Sequence, residues 1–457
     1  MATRSHEQAQ KIYADLVKAG VQKVKVAVTD VDGILRGKYI HIDKFKSALE
    51  KGFGFCNVVF GWDSSDVCYD KSTYTGWHSG YPDALAKLDL STHRQVPWDD
   101  QVHFFLGDFY ENDGEKALEI CPRQVLRRVI DRLKKKGYQP MAGCEFEWFN
   151  FRETPESLAE KASSNPTPLS PGMFGYSILR SGLNQNYFNQ LYDLLAAFRV
   201  PLEGLHTETG PGVYEAAIQV SHALEAADRA VLFKSGAKEI GLRQQIMASF
   251  MARWNQDLPG CSGHIHISLC QDEKNLFYDE SDQHNMSPLM KRFLAGLIRY
   301  TPEFLVLMAP TVNSYKRLVK GYWAPTAATW GIDNRTCAFR VIPWGASSTR
   351  IEARVPGADM NPYLALSAVL ACGLLGIEKN LELNQAAIQG NAYDDQQAPS
   401  FAGNLYEASK IFSQSAAAKE VLGEAFVTHF SETRLWEWEQ SQKAVTDWEL
   451  QRYFEII

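Results

Sequence analysis

Three segments of this sequence alternate polar and apolar residues with a period of two, and their polar positions hold charged or imidazole side chains. They are Glu145–Trp148, Gly263–Leu269 and Arg350–Arg354. This alternation predicts β-strands, because successive side chains of a strand point to opposite faces. Each predicted strand therefore has one apolar face and one face that bears carboxylates, histidines or arginines. The polar faces are expected to meet at a cavity.

The polar faces are too rich in charge to be buried without a ligand. Glu145 and Glu147 share one face and lie roughly 7 Å apart, given a rise of ~3.3 Å per residue. His264, His266 and Ser268 share the polar face of the second segment. Carboxylates that are buried close together require cations. We therefore expect the cavity to hold metal ions, an anionic ligand, or both.

Charge and cysteine content narrow the function classes. The net charge of -7 offers no basic surface for nucleic acid or a membrane. The eight cysteines are scattered without a CxxC pair, which argues against a zinc module or a disulfide framework and fits a reducing compartment. The N-terminus does not resemble a signal peptide. The longest apolar run, Leu364–Ile377, is shorter than the ~20 residues that span a bilayer, so it predicts a buried helix. We expect a cytoplasmic protein.

The order of predicted elements indicates an α+β fold. A helix is predicted over 122–136, because it begins at a proline and is followed by Gly137. Residues 205–220 predict two strands joined by a Thr-Gly-Pro-Gly turn, and residues 244–254 predict another strand. Paired strands alternate with long helices, which is typical of an antiparallel sheet flanked by helices. We place a domain boundary near residues 111–114, giving an N-terminal domain at 1–112 and a larger domain at 113–457.

The residue types point to phosphoryl chemistry. Five carboxylates and one imidazole favour magnesium or manganese over zinc, and so many carboxylates favour two or more ions. These predicted ligands are Glu145, Glu147, Glu208, Glu215, Glu352 and His264. Arginine forks bind carboxylates and phosphates, and four lie nearby: Arg317, Arg335, Arg340 and Arg354. The pattern therefore predicts a kinase or an ATP-dependent ligase that acts on a carboxylic acid.

The sequence resembles the glutamine synthetase family over residues 20–380. The matching segments occur in family order: Glu145–Glu147, His206–Glu208, Tyr214-Glu215, Gly260–His266, Ala309–Leu318, Asn334–Arg340, Arg350–Arg354 and Asn361–Ala365. The resemblance implies an N-terminal β-grasp domain, a catalytic domain, and active sites between the subunits of a double-ringed homo-oligomer, usually a dodecamer. It also implies that ATP and glutamate form a γ-glutamyl phosphate, which an amine then attacks.

The resemblance also implies a role for each matching residue. One metal ion would be held by Glu147, Glu208 and Glu215, and a second by Glu145, His264 and Glu352. The nucleotide and its phosphates would be contacted by His266, Ser268 and Arg340. Glutamate would be held by Gly260, Arg317 and Arg354. Arg335 would stabilise the phosphoryl group during its transfer.

The departures from the family lie around the position of the attacking amine. Family members that use ammonium carry a Glu after the Gly-Tyr of this segment, whereas here Tyr322 is followed by Trp323. A tryptophan cannot accept a proton and offers a broad apolar surface. The family's Asp-Gly-Ser-Ser element reads Trp62-Asp63-Ser64-Ser65, so Asp63 is the candidate base for the amine and Trp62 a candidate pocket wall. Pro259 stands where the family has an Asn near the substrate amino group.

These departures resemble the γ-glutamyl-amine ligase branch, which includes proteins similar to γ-glutamylpolyamine synthetase. We predict ATP-dependent γ-glutamylation of an organic amine, with an apolar or aromatic monoamine favoured over a long polyamine. Three alternatives stay open: an ordinary glutamine synthetase, a carboxylate kinase that releases acyl phosphate, and a non-catalytic member of the superfamily. Tyr393 lies near a tyrosine that some members nucleotidylate, but its surroundings do not match, so no modification is predicted.

Overall fold

The strands form two separate sheets. The first lies in the N-terminal part of the chain, and the second contains the three alternating segments. The computed structural model describes residues 2–457, with side chains from residue 7 onward. The strands are β1 (Lys23–Thr29), β2 (Leu35–His41), β3 (Phe53–Cys56), β4 (Asp83–Leu88), β5 (Arg94–Val96), β6 (Val102–Tyr110), β7 (Gln139–Phe151), β8 (Leu202–Thr207), β9 (Val213–Ile218), β10 (Ser221–His222), β11 (Met247–Ser249), β12 (Gly263–Gln271), β13 (Lys274–Asn275), β14 (Trp330–Ile332), β15 (Phe339–Ile342) and β16 (Arg350–Ala353).

Helices cover the sheets and make up most of the C-terminal part. They are α1 (Ala2–Lys18), α2 (Ile42–Lys51), α3 (Pro122–Lys134), α4 (Pro155–Glu160), α5 (Ile178–Leu183), α6 (Gln185–Ala197), α7 (Ala223–Leu242), α8 (Pro288–Phe304), α9 (Ser314–Arg317), α10 (Pro362–Glu378), α11 (Leu405–Gln414), α12 (Ala416–Leu422), α13 (Glu424–Lys443) and α14 (Asp447–Tyr453). Within residues 2–457, no helix combines the length and the apolar character that crossing a membrane requires.

The N-terminal sheet has the strand order β2-β1-β6-β4-β3, with β5 paired to β6. β1 and β2 form an antiparallel hairpin, whereas β1 and β6 run parallel. The hairpin turns at Gly33, which has a φ of 80°, and the Asp30 carboxylate accepts the backbone N–H groups of Asp32 and Ile34. α2 packs on this sheet. The predicted N-terminal β-grasp domain is confirmed.

The second sheet contains the three alternating segments in neighbouring strands. Its order is β14-β15-β16-β12-β7-β9-β8, and β16, β12 and β7 pair antiparallel. Their apolar side chains, such as Phe146, Ile265 and Ile351, are buried in the core. α10 packs against α3, α7 and α8, and its residues from Pro362 to Ile377 are all buried, as the apolar run predicts. The predicted α+β class, with a sheet flanked by helices, is confirmed.

Most predicted elements form within a few residues of their expected bounds, but one is wrong. The strand expected over 244–254 is reduced to Met247–Ser249. The strand is short because Met247–Ser249 pair only with Phe149–Phe151 at the end of β7, while β12 pairs with the rest of β7 up to Phe146. The loop that follows is held by hydrogen bonds from the Arg253 side chain to backbone carbonyls. The domain boundary stays a prediction; β6 ends at Tyr110 and α3 begins at Pro122.

A buried charge cluster joins the N-terminal sheet to helices α3 and α7, and it predicts that the protein is less stable in acid. Arg123 forms ion pairs with Asp89 (2.8 Å), Asp108 (2.7 Å) and Asp228 (2.8 Å). Burial alone would raise the pKa of Asp89, but the charge of Arg123 and its hydrogen bonds hold that pKa well below its ordinary value. A carboxyl with a depressed pKa stabilises the folded state above its unfolded pKa of ~3.9, and this stabilisation is lost as the pH falls.

Asp89→Asn should therefore lower the free energy of unfolding at pH 7 by about 1–2 kcal/mol. The difference between the parent and the variant should shrink as the pH falls below about 4, because Asp89 then binds a proton in the unfolded parent but stays ionised in the folded parent. Denaturant unfolding across this pH range measures both effects. A difference that stays constant over the whole range would show that the charge of Asp89 contributes nothing.

Candidate active site

Strand register brings the predicted polar side chains together at one face of the second sheet. Residues that lie directly opposite each other on neighbouring strands have side chains on the same face. Three cross-strand pairs result: Glu145 with His264, Glu352 with His266, and Glu147 with Glu215. β15 extends the row, because Arg340 lies opposite Glu352. The alternating polar residues of the sequence therefore lie together on one face of the second sheet, and this face forms a charged wall.

This wall lines a cavity of about 610 Å³. Most of the predicted site residues line it: Glu145, Glu147, Glu208, Glu215, Gly260, His264, Tyr322, Trp323, Arg335, Arg340, Glu352 and Arg354. Carboxylates lie along one part and arginines along another. A cavity of this kind suits an anionic ligand that is bridged to the protein by cations.

Glu145, His264 and Glu352 form the first group that fits a divalent cation. Each offers one ligand atom, and these atoms lie within 4.8 Å of one another. His264 Nδ1 is 3.1 Å from a Glu145 oxygen and 3.3 Å from a Glu352 oxygen. His264 Nε2 is buried and has no hydrogen-bond partner among the described residues. Two carboxylates and an imidazole whose Nδ1 lies beside both of them match the oxygen-rich donor set that magnesium or manganese prefers.

The carboxyl groups of this cluster favour the ionised state. Burial alone would raise the pKa of Glu145, but hydrogen bonds from His264 and His266 hold it well below its ordinary value. Burial would likewise raise the pKa of Glu352, but the charge of Arg354 lowers it to about 2. Ionised carboxylates are the form that binds a metal ion.

A second group that could hold a cation consists of His206, Glu208 and Glu215, whose ligand atoms also lie within 4.8 Å. His206 Nε2 is 3.4 Å from Glu215 Oε1. Burial raises the pKa of Glu215 to about 8, although the hydrogen bond from His206 opposes the increase. Glu147 is not in this group, because its Oε2 accepts the backbone N–H of Ser262 at 2.7 Å. It nonetheless lines the same cavity beside Glu215.

The arginine side of the cavity is organised around Glu352. Arg340 Nη1 donates to Glu352 Oε2 at 2.8 Å, and Arg354 Nη1 donates to Glu352 Oε1. Arg354 Nε also donates to the carbonyl of Arg335 at 3.1 Å. Glu352 is 1% exposed, whereas Arg335 is exposed at the cavity wall. One buried carboxylate therefore positions two arginines, and Arg335 is the arginine left open to a ligand.

His266 and Ser268 line a neighbouring cavity of about 310 Å³ rather than the main one. Arg350 lines it as well, and its Nε contacts His266 Nδ1 at 3.1 Å. Glu145 lines both cavities, so the two are adjacent. A ligand with two polar ends could therefore extend from the carboxylates into the second cavity.

Arg317 does not line the main cavity. Its side chain is 2% exposed, and its guanidinium donates to the carbonyls of Val355 (2.9 Å) and Arg354 (3.1 Å) and to Ser262 Oγ (2.9 Å). These bonds fix the backbone on either side of the cavity. Contact between Arg317 and glutamate stays a prediction.

Asp63 and Trp62 lie in the N-terminal domain and do not line this cavity within one chain. Asp63 Oδ1 accepts the backbone N–H groups of Ser65 (2.8 Å) and Val67 (3.0 Å), and Asp63 Oδ2 is 3.4 Å from Trp436 Nε1. The central carbon of the Arg36 guanidinium lies 5.0 Å from the centre of the Trp62 ring. The roles expected for these two residues stay predictions that require a second copy of the chain.

Four residues that line the cavity were given no role from the sequence: Tyr176, His206, Thr209 and Ser262. His206 lies on β8, two positions before Glu208, which follows the strand, so the alternation rule applied to this segment could have identified His206. Tyr176 stacks on the His206 ring at a centroid distance of 4.4 Å and lines the cavity. Tyr176 lies in the loop that precedes α5, where no periodic pattern indicates a role in the site. Ser262 also lines the cavity, and its backbone binds Glu147.

Gly260 lines the cavity where the backbone packs too closely for any side chain. A Cβ at this position would overlap the carbonyl oxygen of Ala252 and lie 2.9 Å from Arg317 Cγ. Gly260→Ala should therefore displace the loop and raise the KM for the ligand bound at this loop by about tenfold, as expected when extra atoms are forced into a packed site. Gly182→Ala is the matched control, because a Cβ there meets nothing within 4 Å. Equal KM values for both variants would contradict this role of Gly260.

Comparisons with known proteins agree with this arrangement. Residues 119–453 match the model of the family described as glutamine synthetase, catalytic domain. The chain is 54% identical over 439 residues to type-1 glutamine synthetase 2 of Dictyostelium discoideum, covering 95% of this chain and 84% of that protein. It is 35% identical over 462 residues to the glutamate–isopropylamine ligase of a Pseudomonas species, covering 100% of both. The solved structure of apo GmaS without ligand superposes with a TM-score of 0.84 at 25% identity, covering 97% of this chain and 99% of that one.

Proposed function

The chain belongs to the glutamine synthetase family, and from this premise we propose that it joins the γ-carboxylate of glutamate to an organic amine at the expense of ATP. As a ligase of this family, it belongs to enzymes that use ATP, glutamate, divalent metal ions, and ammonia or an amine. The proposal goes beyond the family assignment in one respect: the nitrogen substrate is an organic amine rather than ammonia.

The observation that carries the proposal is Trp323 at the wall of the cavity. Trp323 is 57% exposed, lies next to Tyr322, and stands where ammonium-using relatives are expected to have a glutamate. An indole cannot accept a proton from ammonium, but it can contact the apolar body of a larger amine. The 35% identity to a glutamate–isopropylamine ligase supports the same substrate class.

The carboxylate wall and the arginine wall suit the first half of such a reaction. Glu145, His264 and Glu352 would hold one cation, and Glu208 and Glu215, with Glu147 beside them, would hold another. Bound cations would neutralise the phosphate oxygens of ATP and orient the γ-phosphoryl group toward the glutamate carboxylate. In this proposal, His266, Ser268 and Arg340 contact the nucleotide.

Glutamate would lie between the Gly260 loop and Arg354. Its γ-carboxylate oxygen attacks the γ-phosphorus of ATP, so ADP leaves and a γ-glutamyl phosphate forms. Arg335, exposed in the cavity, stabilises the charge on the phosphoryl group during this transfer. The neutral amine then attacks the carbonyl carbon of the γ-glutamyl phosphate, the C–N bond forms, the C–O bond to phosphate breaks, and the nitrogen gives up a proton to a base as phosphate leaves.

The cavity wall near Trp323 favours an amine with an apolar or aromatic body. Tyr322, Pro259 and Tyr176 line the same cavity, and all three offer apolar surface. A long polyamine would gain more from a row of carboxylates along its path.

Asp63 of a second copy is the candidate base, with Trp62 beside it. We therefore propose a homo-oligomer, for which the family resemblance implies a dodecamer; light scattering measures its mass.

The test is a product assay with ATP, magnesium, glutamate and a panel of amines that includes alkyl, aromatic and polyamine members. Mass spectrometry should detect the γ-glutamyl amide of at least one organic amine, with one ADP released per amide formed. Each omission of ATP, metal, glutamate or amine should abolish the product. Formation of glutamine alone, from ammonium, would contradict the proposal.

An ordinary glutamine synthetase is the second candidate, and one observation favours it. The relative named type-1 glutamine synthetase 2 is 54% identical to this chain. This candidate predicts that ammonium is the best nitrogen substrate and that no larger amine improves on it. A carboxylate kinase would instead release ADP steadily without any amine, so the same assay distinguishes all three activities.

A further inference from the structure

Arg253 lies outside the residues assigned to the reaction, yet its side chain is fully engaged beside the cavity. Its guanidinium donates to four backbone carbonyl groups: Asn255 (3.2 Å), Leu258 (2.9 Å), Gln256 (2.6 Å) and Lys316 (2.8 Å). The Arg253 backbone is fixed as well, because its N–H and its carbonyl both bond to the Asn313 side chain at 2.8 Å.

The face of the same guanidinium packs on the turn that carries Trp323. The central carbon of the Arg253 guanidinium lies 4.4 Å from the centre of the Tyr322 ring. Hydrogen bonds use the edge of the planar group, so its face stays free for an aromatic ring. Trp323 adopts a φ of 60°, which is unfavourable for a bulky residue. The turn therefore needs support from outside itself.

The contacts of Arg253 join two walls of the cavity. Residues 255–258, whose carbonyls it binds, lead directly into Pro259 and Gly260 at the cavity. Tyr322 and Trp323 form the wall assigned to the amine. A single guanidinium therefore connects the backbone that would hold glutamate to the turn that would close over the amine.

We propose that Arg253 is a positioning residue that holds the Lys320–Trp323 turn against the glutamate loop and thereby sets the selectivity for the amine. Its effect on the amine rests on the proposed function, whereas its effect on the turn does not. Lysine cannot replace it, because an ammonium group offers three donors and no planar face.

Kinetics provide the first test. Arg253→Met and Arg253→Lys should each raise the KM for the amine about five- to tenfold, because one stacking contact and several hydrogen bonds are lost. The KM for ATP should stay within about twofold, since the hydrogen bonds and the ring contact of Arg253 involve none of the residues assigned to the nucleotide. Arg299→Met is the matched control, because Arg299 also stacks on a tyrosine, at 5.2 Å, but on α8. It should leave all parameters unchanged. Equal increases in the KM values for ATP, glutamate and amine would mean general damage and would overturn the proposal.

Limited proteolysis tests the turn without relying on any activity. Lys320 is exposed in the turn, so trypsin cleavage after it reports how often the turn opens. In Arg253→Met and in Tyr322→Ala, cleavage after Lys320 should be about five- to tenfold faster, because the contact that closes the turn is lost. Tyr322→Phe, which keeps the ring, should cleave at the parent rate.

Cleavage after the exposed Lys161, in a different loop, should not change in any of these variants. Parent-like cleavage after Lys320 in Arg253→Met would overturn the proposal. Faster cleavage in a protein that uses no organic amine would support the role of Arg253 in the turn while refuting the proposed function.

Discussion

Glu352→Gln should reduce ligase turnover by about a thousandfold, since it removes a preorganised charge at the reaction centre. Glu352 is 1% exposed and pairs with Arg340, Arg354 and His264. The neutral amide would leave the buried Arg354 without its counter-charge, would remove one of the two carboxylates that pair with Arg340, and would weaken the first cation site. The measurement is kcat at saturating ATP, glutamate and amine, with magnesium varied to reveal any loss of metal affinity.

Two controls separate chemistry from folding in this experiment. Asp333→Asn removes another carboxylate that accepts a hydrogen bond from Arg340, but Asp333 is 35% exposed at its side chain, so turnover should fall by about tenfold at most. Glu145→Gln tests the same cation group at a less buried position. A folded Glu352→Gln protein with turnover within tenfold of the parent would contradict the site assignment.

Trp323→Glu should change the ratio of kcat/KM for the organic amine to kcat/KM for ammonium by about a hundredfold in favour of ammonium. The substitution removes the apolar wall and supplies a carboxylate that can accept a proton from ammonium. Steady-state kinetics with each nitrogen substrate measure the ratio directly. Trp323→Phe is the matched control. It keeps an aromatic wall, so its kcat/KM should stay higher for the organic amine than for ammonium.

The result that would contradict this expectation is an unchanged ratio. If Trp323→Glu lowered both kcat/KM values equally, the side chain would affect the turn but not the choice of amine. Cleavage by trypsin after Lys320 in this variant would then show whether the turn had opened. An increased ratio in favour of the organic amine would place the specificity pocket elsewhere in the cavity.

The sequence was sufficient to predict the parts of the site that depend on local periodicity. A period of two assigns side chains to strand faces without knowledge of the fold, so Glu145, His264 and Glu352 could be placed on one wall before the sheet was known. Helix boundaries near Pro122 and the buried α10 followed from equally local signals. The same rule, applied to β8, would also have identified His206.

Other parts of the site depend on contacts that local patterns do not encode. Arg317 lies in a matching segment, but its guanidinium turns to backbone carbonyls and Ser262, a choice made by tertiary packing. Tyr176 reaches His206 from a segment without periodicity. The strand expected over 244–254 is short because β12 pairs with the adjacent part of β7, and Arg253 holds the loop that follows it. A loop held by one long polar side chain leaves no periodic signal in the sequence.

The most direct test of the central claim is a competition between one alkyl monoamine and ammonium at equal concentrations of the neutral, reactive form. With ATP, magnesium and glutamate saturating, the ratio of γ-glutamyl amide to glutamine equals the ratio of the two kcat/KM values. The account predicts an excess of the amide of at least about tenfold for the best amine of the panel. An excess of glutamine with every amine tested would contradict it and identify the protein as a glutamine synthetase with an unusual closing turn.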